Sequence, residues 1–110
     1  MYEYQLTIGL NDKKTKKQKF SLDEAHQKLN QILLNNFEIY AFTMIDCYGC
    51  YKHDNGEIVQ ESSIRIEIAA DEKQDAKITL LIKTLKHKRM FNQESIMLKK
   101  SIANISFDNK

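Results

Sequence analysis

Proline and tryptophan are absent from this chain of 110 residues, and glycine, cysteine and arginine are scarce. Each scarcity removes a class of function. The two cysteines, Cys47 and Cys50, are too few for a disulfide framework, and in a reducing compartment they stay thiols. Three glycines, Gly9, Gly49 and Gly56, supply neither a GxGxxG nor a P-loop pattern. No ready-made phosphate cradle is therefore present, and no cofactor is expected. The longest apolar runs fall far below the roughly 18 residues of a membrane span. The opening MYEYQ lacks the basic start and apolar run of a signal peptide, so the expected address is the cytoplasm, with no membrane partner.

Arginine scarcity bears on nucleic acids. Only Arg65 and Arg89 among 17 basic residues offer the forked contacts favoured for bases and phosphates. The lysines, beside abundant Ile and Asn, fit an A/T-rich coding background, and weak RNA or DNA binding ranks below the ligand-binding and protein-inhibitor readings, with an enzyme using Cys50 or Glu61 and Arg65 last. What remains is an ordinary folded composition, 42% hydrophobic and 29% charged, of a length that suits a single domain over 1–110.

Alternation in Tyr2 to Leu10 predicts a half-buried strand. Asn11 to Lys19 is a polar loop with five lysines. Ser21 and Glu24 form a capping box, with Phe20 placed to staple onto Ala25. The stripe Ala25, Leu29, Ile32, Leu33 then carries a helix to about Asn35. His26 lies beside that stripe with no pairing partner nearby in sequence. Strands are predicted over Glu38 to Lys52 and Glu57 to Ala70, joined by a two-residue type I′ turn at Asn55-Gly56. That turn sets a register with Ile45 opposite Ile66, Cys47 opposite Ile64 and Asp46 opposite Arg65. Asp71 caps a second helix, with Gln74 at its third position and Ile78, Leu81, Ile82 and Leu85 as its stripe. Its basic end, Lys83, Lys86, Lys88 and Arg89, suits the helix dipole. Glu94 to Lys99 is a fourth strand, and Ser101 to Phe107 continues it or makes a short fifth.

The CxxC around Gly49 sits inside an alternating strand, where positions three apart point to opposite faces. Cys47 is expected in the core and Cys50 on the open face. A zinc site would need His53 and Asp54 as well, and no metal is expected. Catalytic patterns are equally thin. Glu61, Arg65, Asp46 and Tyr48 fall on one face, where a cross-strand ion pair accounts for them, and Ser62 and Ser63 have no histidine-carboxylate partner by spacing. The chain reads as a non-enzyme.

The order βαββαβ predicts an α+β, ferredoxin-like fold: a four-stranded antiparallel sheet with two helices on one face. Over roughly residues 2 to 100 this order and length resemble those of PII-type signalling proteins and other small bacterial or phage ferredoxin-like proteins. The resemblance implies trimers that bind nucleotides or other small anions between subunits. PII proteins carry a long loop between their second and third strands; Asp54-Asn55-Gly56 replaces it here, so no PII binding residue carries over. The opposite sheet face, with Phe42, Met44, Tyr48 and Met97, is more apolar than a solvated face and is the expected homo-oligomer interface, dimer or trimer. Candidate ligand residues are Asn11, Lys13, Tyr48, Tyr51, Glu61 and Arg65. The leading expectation is an oligomeric regulatory or sequestering module for a small anionic, nucleotide-like ligand. The main alternative is a phage- or plasmid-borne anti-defence protein that binds and inhibits a host protein.

Overall fold

The computed structural model describes residues 1–11, 17–18, 20–52, 54–87 and 96–104. Its elements are β1 (Tyr2–Gly9), α1 (Leu22–Gln31), a π-helical turn (Ile32–Asn36), β2 (Thr43–Lys52), β3 (Ile58–Ala70), a 3-10 turn (Glu72–Gln74), α2 (Asp75–His87) and β4 (Met97–Ile102). The sheet is antiparallel in the order β2-β3-β1-β4, so the first and third strands are central. This is the α+β, ferredoxin-like arrangement.

Local chemistry explains where the elements begin. The Ser21 hydroxyl accepts from the Glu24 backbone N–H at 3.1 Å, while the Glu24 carboxylate accepts from the Ser21 N–H. This reciprocal cap satisfies two N–H groups that the first helical turn leaves open. At the other end the helix widens. The Phe37 N–H bonds to the Ile32 carbonyl, five residues back, and Glu38 follows in the left-handed region at φ 53°. Asp71 caps the second helical segment by accepting from the Lys73 N–H.

One side of the sheet carries the core. Tyr4, Leu6 and Ile8 of β1 and Ile64, Ile66 and Ile68 of β3 pack beneath Ala25, Leu29 and Leu33 and beneath Ile78, Leu81 and Leu85. Each such aliphatic side chain contributes about 1.5–3 kcal/mol by leaving water. Glu3, Gln5, Thr7 and Gly9, the alternate β1 positions, lie on the face without helices.

The hairpin register differs from the sequence expectation by one residue. Met44 faces Ile66, Asp46 faces Ile64 and Ile45 faces Arg65, and the ladder closes at Lys52 opposite Ile58. The connection is thus five residues, 53 to 57, in place of two. Gly56 has φ 87°, but Asn55 is not in the positive-φ region; its side chain instead accepts from the Glu57 N–H at 2.9 Å. A type I′ turn needs positive φ at both central residues, so it does not form. A one-residue shift turns every β2 side chain to the other face.

Two further boundaries move. β2 begins at Thr43, five residues later than expected, after Ile39 folds back into the core and its N–H bonds to the Leu33 carbonyl. β4 runs from Met97 to Ile102 without a break at Lys99. Residues 105–107 of the suggested fifth strand, together with His53, Lys88, Arg89 and Glu94, lie outside the described residues.

Candidate functional site

The register shift divides the residues expected to share the open face. Phe42 and Met44, expected at an oligomer interface, turn to the helix side and pack against the core. Asp46 and Tyr48 go with them. Asp46 therefore does not meet Arg65; its Oδ1 lies 2.6 Å from His26 Nε2, on α1. Tyr48 extends past the helices, 67% exposed, and its hydroxyl donates to Gln60 Oε1 at 2.8 Å. The places they leave are taken by Ile45, opposite Arg65, and by Cys47, whose thiol donates to the Ile45 carbonyl. Cys47 thus faces Ser63 on the open side and Cys50 faces Gln60 on the other, the reverse of the expected assignment. The two sulfurs still sit on opposite faces. Met97 stays on the open face, opposite Thr7 and 63% exposed.

Glu61 and Arg65 remain on the open face of β3, with Ser63 between them. Glu61 is held in place. Its Oε2 accepts the Asn11 backbone N–H at 2.9 Å, and its carboxylate lies across Gly9, where a Cβ would overlap it. The Asn11 side chain donates in turn to the Gln60 carbonyl at 3.3 Å. Asn11, Glu61, Gln60 and Tyr48 are thereby linked at the base of the projecting hairpin. Lys13 lies outside the described residues, and so does the side chain of Tyr51.

Arg65 is half-buried between Thr7 and Ile45. Among the described residues it forms no ion pair. The neighbouring carboxylates are engaged elsewhere: Gln5 Nε2 donates to Glu67 at 3.0 Å and to Glu3 at 2.9 Å, and Glu61 is on Asn11. Hydrogen bonding, first from Gln5 and then with Glu67, holds the Glu3 carboxyl below its ordinary value. The open face therefore has a fixed carboxylate at one end, an acidic pair at the other and, among the described residues, an unengaged guanidinium between.

A second polar cluster closes the opposite end of the helix side. The Tyr4 hydroxyl donates to Asp75, the first residue of α2, and Lys100 of β4 donates to the same carboxylate at 2.7 Å. Lys100 Nζ also lies 4.2 Å from the centre of the Tyr2 ring. Burial, and then the bond to Asp75, pushes the Tyr4 hydroxyl up to about 12. Lys100 and, next, Tyr4 hold Asp75 below the usual carboxylate value, and the Asp75 bond raises Lys100. Tyr4, Asp75 and Lys100 satisfy one another, so the cluster ties β1, α2 and β4 together.

Sequence reasoning placed Ser63 and Arg65 on the open face but missed Gly9 as part of this surface, and missed Gln60, which lies on the other face, as the link between Asn11 and Tyr48. The signal available was the clean alternation of β1 and β3, which places all odd residues from 3 to 9 and from 61 to 67 on one face.

The chain matches the family described as "Protein of unknown function (DUF3574)" over residues 3–107, and it belongs to that family. No curated protein matches it. Among solved structures it is similar to a phage SAM lyase in complex with S-methyl-5'-thioadenosine, with TM-score 0.67 and 20% identity over 91% of this chain and 79% of that one. The same lyase in its apo state gives TM-score 0.65 and 21% identity over 91% and 78%. CutA1 from Pyrococcus horikoshii OT3 gives TM-score 0.61 and 14% identity over 99% and 89%. At these identities the likeness is one of fold.

Proposed function

We propose that the protein is an oligomeric, non-catalytic module that binds a small anionic, nucleotide-like ligand on the open face of its sheet. The observation that carries this reading is Arg65: a half-buried arginine that forms no ion pair among the described residues, while Glu67 accepts from Gln5 and Glu61 from Asn11. Holding a cation partly out of water without a counter-ion costs free energy, and an incoming phosphate or carboxylate removes that cost through paired, charge-assisted bonds. Glu61 sets the other end of the seat. A likeness of fold to a phage SAM lyase that holds S-methyl-5'-thioadenosine supports a nucleoside-sized ligand for a sheet of this shape. Met97 and Ile45, exposed beside Arg65, are the apolar contacts we assign to a second copy of the chain, which would roof the seat.

The test is a thermal-shift panel of nucleotides and simple phosphorylated compounds. One or more should raise the melting temperature, and Arg65→Ala should abolish the rise. Failure of every anion in the panel overturns the reading.

A second reading rests on β4. All six of its residues are exposed, and among the described residues it is an unpaired sheet edge, with Ile102 at 82%. Such an edge is a template for strand addition by another protein. A protein inhibitor acting through this edge would co-purify with one host protein and lose it on Ser101→Pro.

A further inference from the structure

Within the proposed seat, the row Gly9, Ser63, Cys47 crosses three strands as directly opposed residues. All three residues are small; the Glu61 carboxylate already lies over Gly9, so Ser63 and Cys47 make the low floor of a trough beside it. Along β3 its walls are Glu61 on one side and Arg65 on the other. Ser63 is 9% exposed even though it lies on the face without helices, and its hydroxyl has no hydrogen-bond partner among the described residues. A buried hydroxyl left unsatisfied is costly, and this one belongs to the floor of the trough. Cys47 does not relieve it, because its thiol is turned to the Ile45 carbonyl.

We propose that this trough recognises a ribose 5-phosphate unit, with the vicinal hydroxyls on Glu61, the sugar over Ser63 and the phosphate on Arg65. The inference rests on the ligand-binding reading above and names its chemistry. Three features favour a ligand with donors at one end and an anion at the other. First, the ends differ in sign. A carboxylate accepts only, and two adjacent hydroxyls can satisfy both of its oxygens; a guanidinium donates only and matches a phosphate. Secondly, Glu61 is pre-oriented: Asn11 holds one oxygen, Gly9 leaves space for the carboxylate, and the remaining lone pairs have no partner among the described residues. Thirdly, the spacing suits the unit. Four residues of strand separate Glu61 and Arg65 by about 13 Å at the backbone. Both side chains are long enough to lean inwards over Ser63 and shorten that gap to the span of one sugar from its diol to its 5'-phosphate. The Ser63 hydroxyl then meets the ring or bridging oxygen of the sugar.

The experiment is isothermal titration calorimetry of the full chain with adenosine 5'-monophosphate, its 2',3'-dideoxy analogue and ribose 5-phosphate. Binding of the ribonucleotide should exceed that of the dideoxy analogue by roughly tenfold or more, the worth of a hydrogen bond to a charged acceptor. Glu61→Gln should shrink that ratio to near one, and ribose 5-phosphate should bind and compete. Comparing two ligands on the unaltered protein keeps the test independent of any variant's folding. Equal binding of the two nucleotides overturns the diol assignment and leaves the anion reading intact. Binding confined to non-sugar phosphates through Arg65 does the same. Absence of binding by any anion overturns both.

Discussion

His26 on α1 and Asp46 on the edge strand β2 meet at 2.6 Å, which fixes the side of the sheet to which β2 turns its even-numbered residues. In the register expected from an Asn-Gly turn, Asp46 would have faced Arg65. The pair thus reports the hairpin register directly. A double-mutant cycle on His26→Ala and Asp46→Ala should give a coupling of about 0.2–1 kcal/mol, as for other exposed pairs. The corresponding cycle on Asp46 and Arg65 should give none. Coupling found only in the second cycle would restore the other register.

The Tyr4, Asp75 and Lys100 cluster predicts a signed pH dependence. The folded protein keeps the Tyr4 proton up to about 12 against an ordinary 10.0, so this contribution to stability is whole below pH 10 and is lost as pH rises towards 12. Lys100, raised above 10.5, acts in the same sense. Asp75 acts in the opposite one: its contribution is present above 3.8 and disappears as pH falls through its lowered folded value. Denaturant unfolding as a function of pH should show both limbs, and Tyr4→Phe should flatten the alkaline one. Ultraviolet titration should find one of the five tyrosines ionising last, and that signal should be missing from the variant.

Gly9→Ala separates stability from binding. The added methyl meets the movable end of Glu61 and not the backbone, so the fold should lose no more than about 1 kcal/mol. Glu61, however, would be displaced from the Asn11 N–H. We expect ligand affinity to fall while the melting temperature barely changes; an unaltered affinity would remove Glu61 from the seat.

Glu38 carries a left-handed backbone conformation that suits glycine, at φ 53°. Glu38→Gly should therefore raise stability by up to about 1 kcal/mol despite the greater freedom of glycine in the unfolded chain. Equilibrium unfolding in urea decides this, and a loss of more than about 1 kcal/mol would mean that the Glu38 side chain holds the helix end.

Much of the fold was legible because its signals are local. Ser21 and Glu24 mark a helix start within four residues, and β1 alternates without exception from Tyr2 to Leu10. The hairpin register was not legible, for a physical reason. Phe42, Met44 and Tyr48 on one parity of β2, and Ile45 and Cys47 on the other, are similarly apolar, so the pattern alone does not select a face. The turn dipeptide then decided the expectation, and a five-residue connection replaced it. The Tyr4, Asp75 and Lys100 contacts join positions 71 and 25 residues apart, and they follow only once β4 is placed beside β1. Of the site, Glu61 and Arg65 were readable as neighbours on one face. The open valence of Arg65 was not, because it depends on where Gln5 and Asn11 send their hydrogen bonds.

An anion-binding oligomer is best tested by native mass spectrometry of gently purified protein. The expected result is a homo-oligomer that carries a fixed additional mass per subunit, released as a phosphorylated small molecule and absent from Arg65→Ala. A bare monomer that takes up no added anion would contradict both the oligomer and the seat around Arg65.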